Sequence, residues 1–353
     1  MIKSNIQEMN MESAINFFNK LKQKVDEYST SKIEVFHSAF QKNQWFTLEE
    51  IHRMLNAISN RYLDSDSLRT WLSQYNLTQI TKIKTIAIIS AGNIPLVSFQ
   101  DLLCVLVCGY KAQVKLSEKD TVLYHWIKDL IQDCDPSIAS RIEFTERIHD
   151  YDAVIATGSD LAANHFKHYF QKKPNIIRGH RNSIAILNGD ETEFDFIELG
   201  KDIFYYYGLG CRNVSKIYVP FNYDFSPLLK TLDSHFSYVR NHTKFQNNYD
   251  FQLAISLINP VHFLQGETIL LIENTQLGSP LATIHFEYYV DEVDLKHKIA
   301  EHANKLQCIV SNKNLDFIPV TPFGTSQLPG LLDYPDDIDI MNFLISLQQE
   351  YVD

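Results

Sequence analysis

Between residues 82 and 220, short runs rich in β-branched residues alternate with longer amphipathic runs. That alternation limits the fold more than any other feature. KIKTIAIISAGNIPL (82–96) reads as a buried strand that breaks at Gly92. SFQDLLCVLVCGY follows as a helix ended by Gly109, KAQVKLS as a strand, and DTVLYHWIKDLIQDC as a second helix. RIEFTE and YDAVIATGS are further strands, and IIRGHRNSIAIL reads as strand, turn and strand after an interruption at Pro174 and Asn175. FDFIELGKDIFYYYG is a helix and KIYVP a strand. Residues 223–318 mix helices and strands again, and IMNFLISLQQEYV is a last helix after a loop rich in Gly, Pro and Thr. Strand–helix alternation of this kind predicts an α/β fold with a parallel sheet covered on both faces. Ahead of it, residues 11 to about 75 have helical spacing. Thr47 and Glu50 form a capping-box pattern there, and Ser65 or Asp66 is the expected cap of SLRTWLSQY.

A chain of 353 residues exceeds one simple core, so two domains are expected. A net charge of −11 argues against non-specific nucleic-acid binding, which needs an excess of Lys and Arg. No segment approaches the roughly 20 apolar residues that cross a bilayer. MIKSNIQEMNMESAINFF lacks the charged start, apolar middle and cleavage site of a signal peptide. Cys104, Cys108, Cys134, Cys211 and Cys308 are odd in number and scattered, which suits reduced thiols. A cytoplasmic location is the expectation. LLCVLVCGY offers no His or carboxylate beside its two cysteines, so no metal site is expected.

Four short stretches carry chemistry, each with a bland alternative. In GLGCRNVSKIYVP (208–220), Cys211 follows two glycines at a helix-to-strand junction, and the adjacent Arg212 would favour the thiolate. A structural cysteine is the commoner occupant of such a place. SAGNIPL puts Asn93 in a loop at a strand's end, where an amide can donate to a developing oxyanion or merely support a turn. ATGSDLAANHF places Gly158 and Ser159 at a helix start suited to a phosphate, without the G-x-G-x-x-G fingerprint. VKLSEKD puts Lys115 and Glu118 past a strand, as ribose or phosphate ligands or as a solvated turn.

Taken in order, these stretches resemble the aldehyde dehydrogenase superfamily, and within it the LuxC-like fatty acyl-CoA reductases. In that superfamily a loop Asn before a Pro is an oxyanion donor, matched by Asn93. A Lys-x-x-Glu segment holds the adenosine ribose, matched by Lys115 and Glu118. A strand-Gly-Ser-helix junction holds phosphate, matched by Gly158 and Ser159. The nucleophilic Cys precedes a Ser-basic-apolar-aromatic-Val strand, matched by Cys211 and SKIYV. A late Pro-Phe-Gly segment matches Pro322, Phe323 and Gly324. The resemblance covers about residues 80–345.

It implies a Rossmann-like nicotinamide-cofactor domain over 1–177, joined by 323–353, and a catalytic domain over 178–322. The active site is expected in the cleft between them. The implied reaction is reduction of a fatty acyl-CoA, or another acyl thioester, to the aldehyde through an acyl-enzyme on Cys211. Asn93 and the Cys211 N–H would hold the oxyanion. NADP(H) is the favoured cofactor, with NAD(H) open because Glu118 would repel a 2′-phosphate. An acylated partner protein, an acyl-protein synthetase and a second copy of the chain are the partners the resemblance allows.

Three departures bear on mechanism. Ile177 stands where the superfamily has its Glu base, and His180 three residues on is the candidate substitute acid/base. Ala163 replaces the second glycine of the Gly-Ser motif. TQLGSP puts Gln276 where a Glu usually holds the nicotinamide ribose. The alternatives are a CoA-independent aldehyde dehydrogenase that forms the acid, and a catalytically silent nucleotide-binding protein.

Overall fold

The computed structural model describes residues 11–77 and 80–348. The chain divides into two units. One runs to Gly179 and resumes at Pro329; the other is His180–Leu328.

The first unit opens with helices α1 (Met11–Ser31), α2 (Ile33–Lys42), α3 (Leu48–Ala57) and α4 (Ser65–Leu72). Thr47 caps α3 by accepting from Glu50 N, while the buried Glu50 carboxylate pairs with Arg53 Nε at 3.0 Å. The cap of α4 is Asp64, which accepts from Ser67 N at 3.0 Å, rather than Ser65 or Asp66. Ser65 already has its place in the helix, and Asp64 keeps the extended backbone a cap requires.

A parallel sheet follows. Its strands are β1 (Thr85–Ile89), β2 (Lys111–Lys115), β3 (Ile142–Phe144), β4 (Ala153–Thr157) and β5 (Asn175–Arg178), in the order β3-β2-β1-β4-β5. Helices α5 (Phe99–Val107), α6 (Thr121–Cys134), α7 (Pro136–Ala139) and α8 (Asp160–Phe170) connect them. Alternate side chains leave opposite faces of a strand, and the core divides accordingly. Ile86, Ile88, Val114 and Ile155 join the large core under α1–α6, while Ala87, Val154 and Ala156 face Phe166 and Phe170 of α8. All nine residues of α5 are buried, which is why FQDLLCVLV shows no polar face.

The second unit carries a six-stranded sheet. Its elements are β6 (Asn182–Ile186), α9 (Glu193–Phe204), β7 (Val214–Pro220), α10 (Ser226–Phe236), α11 (Thr243–Ile258), β8 (Phe263–Gln265), β9 (Leu270–Glu273), β10 (Thr283–Tyr289), α12 (Glu292–Ala300) and β11 (Leu306–Val310). The order is β11-β6-β7-β10-β9-β8, parallel except for β8 against β9.

The return to the first unit falls at Pro329, six residues later than the sequence placed it. Phe323 and Gly324 therefore go with the second unit. Asp202 of α9 is the reason: its buried carboxylate accepts from Gly324 N at 2.7 Å and from Ser326 N at 3.0 Å. After Pro329 the chain docks on the first unit, with Gln100 Nε2 donating to Leu331 C=O at 3.0 Å and Tyr110 Oη to Leu344 C=O at 3.1 Å. The last helix is α13 (Ile340–Ser346); the expected helix over 340–352 ends in residues outside those described. Among the described residues no helix is long and apolar enough to cross a membrane.

Candidate active site

In the first unit the expected residues gather at the carboxyl ends of the strands. The chain runs β1, β2, β3 in one direction, then crosses back to place β4 on the other side of β1. Ligands of open α/β sheets bind at such a reversal. The β1 loop carries Asn93, and the β4 loop carries Gly158 and Ser159.

Asn93 is exposed, on a loop that buried groups hold from several sides. Ser90 N donates to Lys115 C=O at 3.1 Å, and Asn43 Nδ2 donates to Gly92 C=O at 3.3 Å. Leu96 N donates to Asp120 Oδ2 at 2.6 Å, and Ser98 N to Tyr124 Oη at 2.9 Å. Leu96 sits at φ 51°, a left-handed conformation that costs a non-glycine residue roughly 1–3 kcal/mol. Burial pushes the Asp120 carboxyl well above the usual carboxylate range, against one stabilising N–H from Leu96. Its Oδ1 has no hydrogen-bond partner among the described residues. Neither Asp120 nor Tyr124 was singled out from the sequence, since both look like ordinary residues at the start of α6.

Lys115 ends β2, exposed, and lines a cavity of about 490 Å³ with Ile89, Arg147, Ile148, His165, Phe166 and Tyr169 among its walls. Glu118 opens the next turn, is exposed, and does not line that cavity; the carboxylate on its wall is Glu146. The expected Lys115–Glu118 pair is therefore not brought together there. Arg147 supplies a second cation that the sequence reading missed, because no motif marks it.

Gly158 N donates to Arg178 C=O at 3.2 Å, and Ser159 Oγ caps α8 by accepting from Ala162 N at 3.3 Å. A Cβ on Gly158 would lie 2.9 Å from that of Ala162, so packing against its own helix demands the glycine. Ala163 is buried under the same turn. Ile177 is half-buried and packs with the apolar layer of Phe166 and Phe170. Beside it, Arg178 Nη1 meets both oxygens of Asp101 at 2.9 Å, with both side chains buried. Burial pushes the Asp101 carboxyl up, against the pull of Arg178.

In the second unit Cys211 is a half-buried thiol in the turn between α9 and β7. Its carbonyl accepts from Ser183 Oγ at 2.9 Å. Cys104 and Cys108 are fully buried, and burial drives both thiols far up, toward the unreactive protonated form. Cys308 is buried as well, and burial raises the thiol of half-buried Cys134. Among the five, Cys211 alone follows two glycines, Gly208 and Gly210. His180 is exposed and lines a cavity of about 230 Å³ together with Gly208, Leu209 and Gly210. The candidate acid/base and the nucleophile's loop thus share one cavity wall, although Cys211 itself is not among the lining residues. Gln276 is exposed in a turn; its N–H donates to Asn274 Oδ1 at 2.9 Å, and its carbonyl faces His285 Nδ1 at 3.0 Å. Among the described residues no three His, Cys, Asp or Glu side chains converge as a metal site.

No family model and no curated protein sequence matches the chain. Solved structures do. Aldehyde dehydrogenase 21 from Physcomitrella patens, in complex with its product succinate, superposes with a TM-score of 0.64 at 11% identity, over 88% of this chain and 75% of that one. The NAD⁺ complex of an aldehyde dehydrogenase from Bacillus cereus gives 0.63 at 14%, over 88% and 73%. An NAD-dependent benzaldehyde dehydrogenase from Corynebacterium glutamicum gives 0.62 at 11%, over 88% and 78%. The chain therefore has the aldehyde dehydrogenase fold, with a Rossmann-like parallel sheet in one unit and a mixed sheet in the other.

Proposed function

We propose that this chain is an NAD(P)H-dependent acyl thioester reductase that forms the aldehyde through Cys211. One observation carries the reading. A loop-borne, half-buried thiol is present, while the position expected to hold a water-activating carboxylate is filled by Ile177, packed into an apolar layer.

Cys211 Sγ attacks the thioester carbon, and the carbonyl oxygen takes the negative charge. Asn93 is assigned as an amide donor to that oxygen. Collapse breaks the bond to the CoA sulfur, which leaves as thiolate and takes up the proton Cys211 has lost. The acyl group remains on Sγ. Hydrolysis of that thioester needs a base to activate water, and an isoleucine cannot accept a proton.

The carboxyl edge of the first sheet fits a nicotinamide nucleotide at its adenosine end. The 490 Å³ cavity offers Ile89, Ile148 and Phe166 to an adenine ring, and Lys115 and Arg147 to anionic groups. The start of α8 at Gly158 and Ser159 suits a diphosphate. Bound in reduced form, the nucleotide would supply a hydride to the acyl carbon; aldehyde would leave, and Cys211 would be freed as thiolate that takes a proton from solvent. A fatty acyl-CoA is the proposed acyl donor, with an acylated partner protein, such as an acyl-protein synthetase that hands over the acyl group, as the alternative source.

The test is to incubate the chain with acyl-CoA and no nucleotide, then map the acyl adduct by mass spectrometry. NADPH or NADH is then added and aldehyde quantified. An adduct on Cys211 that converts to aldehyde supports the reading; aldehyde without that adduct overturns it. A second reading, oxidation of aldehyde to acid, draws on His180 beside the Cys211 loop.

A further inference from the structure

The chain enters the Cys211 loop through three successive left-handed residues, Tyr206 (φ 53°), Tyr207 (φ 55°) and Gly208 (φ 76°). Glycine takes that region freely, but each tyrosine there costs on the order of 1–3 kcal/mol, so surrounding contacts must hold the turn.

Asn213 makes those contacts. It is buried, and its Nδ2 donates to the carbonyls of Asp202 at 3.0 Å, Ile203 at 3.2 Å and Tyr205 at 2.9 Å. These lie at the end of α9, where helix carbonyls have no partner within the helix. Asn213 Oδ1 accepts from Gly210 N at 2.8 Å, and Asn213 N donates to Gly210 C=O at 3.1 Å. One side chain therefore closes the helix and fixes the residue before Cys211.

Among the described residues no peptide bond is cis, and in a trans peptide the C=O and the next N–H point in opposite directions. Because Gly210 C=O is drawn toward Asn213 N, the Cys211 N–H is aimed away from Asn213. Ser183 Oγ on Cys211 C=O fixes the next peptide plane. Asp202 anchors the arrangement from the other side, with its carboxylate on Gly324 N, Ser326 N and Ser326 Oγ.

We propose that Asn213 is a positioning residue that aims the Cys211 N–H at the oxyanion of acyl transfer, with Asp202 as its anchor. The inference rests on Cys211 being the acylated nucleophile. It separates two reactions of the same thiol. With a p-nitrophenyl hexanoate ester, Sγ bonds to the acyl carbon, the bond from that carbon to the nitrophenoxy oxygen breaks, nitrophenolate leaves with the electron pair, and the thiol proton goes to solvent. The carbonyl oxygen carries the negative charge on the way. With iodoacetamide, Sγ displaces iodide from a saturated carbon, and no oxyanion forms.

Both rates are measured on the full chain and on Asn213→Ala, with thermal melting to establish folding. Asn213→Ala is expected to slow acylation by about 100-fold, in the range for loss of an oxyanion donor, and alkylation by less than about 3-fold. Equal slowing of both, or of neither, overturns the proposal. If Asn213→Ala does not fold, Ser183→Ala removes only the bond to Cys211 C=O. It is expected to show the same split at about 3- to 10-fold, a weaker version of the same lost donor, and an equal change in both rates overturns the proposal there too. Cys211→Ala is the control. If ester acylation survives in that variant, the nucleophile assignment fails, which is a different result from failure of the positioning claim.

Discussion

The two loops that carry the proposed chemistry are held in different ways. The Asn93 loop is held from outside, by Asn43 of the helix α2–α3 connection and by Asp120 and Tyr124 near the start of α6. The Cys211 loop is held mainly from within, by Asn213 two residues on and by the end of the helix that leads into it, with Ser183 Oγ of β6 on the Cys211 carbonyl as an outside contact. A loop held from outside depends on partners distant in sequence, so a change in another element can move it. A loop held mainly from within is moved most by changes in its own residues.

The largest effect expected is at the loop held from within. Cys211→Ala removes the nucleophile and should lower turnover by on the order of 10⁴-fold or more, with nucleotide affinity unchanged in a fluorescence titration. Substantial acyl-CoA reduction by that variant would sink the mechanism. The loop held from outside should show a smaller loss. Asn93→Ala is expected to lower kcat by about 100- to 1,000-fold, with little change in KM, because an oxyanion donor acts mainly in the transition state. A loss confined to KM would assign Asn93 to binding.

The contrast also explains what the sequence showed. Strand–helix alternation made the parallel sheet legible, and glycines marked both loops at Gly92 and Gly208–Gly210. Asn213 lies inside the quoted Cys211 stretch yet carries no signal, because a loop asparagine commonly just supports a turn. Asp120 was less visible still, since its partner Leu96 is 24 residues away and only the fold brings them together. Glu118 was read with Lys115 from their place after a strand and the Lys-x-x-Glu resemblance, and the turn after β2 carries it off the cavity wall that Lys115 lines. Arg147 reaches that wall from the β3–β4 connection. The late return of the chain at Pro329 depended on Asp202, a helix residue indistinguishable in sequence from a solvated one.

Asp202 and Asp120 sharpen the comparison through pH. Burial pushes Asp202 up to about 6 despite three donors on its carboxylate, and it pushes Asp120 up with only one N–H in return. A carboxyl raised in the folded state keeps its proton after the unfolded chain has lost it, so stability from that group falls as pH rises. For Asp202 the fall spans about pH 4 to 6 and amounts to about 3 kcal/mol, at 1.36 kcal/mol per unit. The difference in unfolding free energy between the parent and Asp202→Asn, followed by urea titration, should decline across that window and level off above it. A flat difference would mean that Asp202 ionises as an ordinary carboxylate. Asp120→Asn should give a decline of the same sign, since only the proton-free form is disfavoured.

A smaller effect is expected at the cavity in the first unit. Arg147→Ala should weaken nucleotide binding about 10-fold, the loss of about 1.4 kcal/mol for one charge-assisted contact. The loss should be larger for NADPH than for NADH if Arg147 faces the extra phosphate, and calorimetry with both nucleotides decides it. Equal affinities in the variant and the parent would move the adenosine end away from that cavity.

The smallest effect expected is at His180, and it bears most directly on the choice between reactions. His180 shares a cavity wall with the Cys211 loop, and its imidazole makes it the candidate to replace the missing carboxylate base. If the acyl-enzyme is resolved by hydride or by a thiol, no water need be activated, and His180→Ala should change acyl-CoA reduction by less than about 3-fold. If it is resolved by water, His180 would carry general-base catalysis, whose loss typically costs about 100- to 10,000-fold. The measurement supplies fatty aldehyde and oxidised nucleotide without CoA, and follows free acid over many turnovers in both proteins. CoA retains an advantage over water as the acceptor, because a few per cent of a thiol is already thiolate at neutral pH and the thiolate is the stronger nucleophile. Little acid from either protein, with aldehyde still formed from acyl-CoA, is what Ile177 leads us to expect. Abundant acid from the parent that disappears in His180→Ala would assign the base to His180 and make the chain an aldehyde oxidiser.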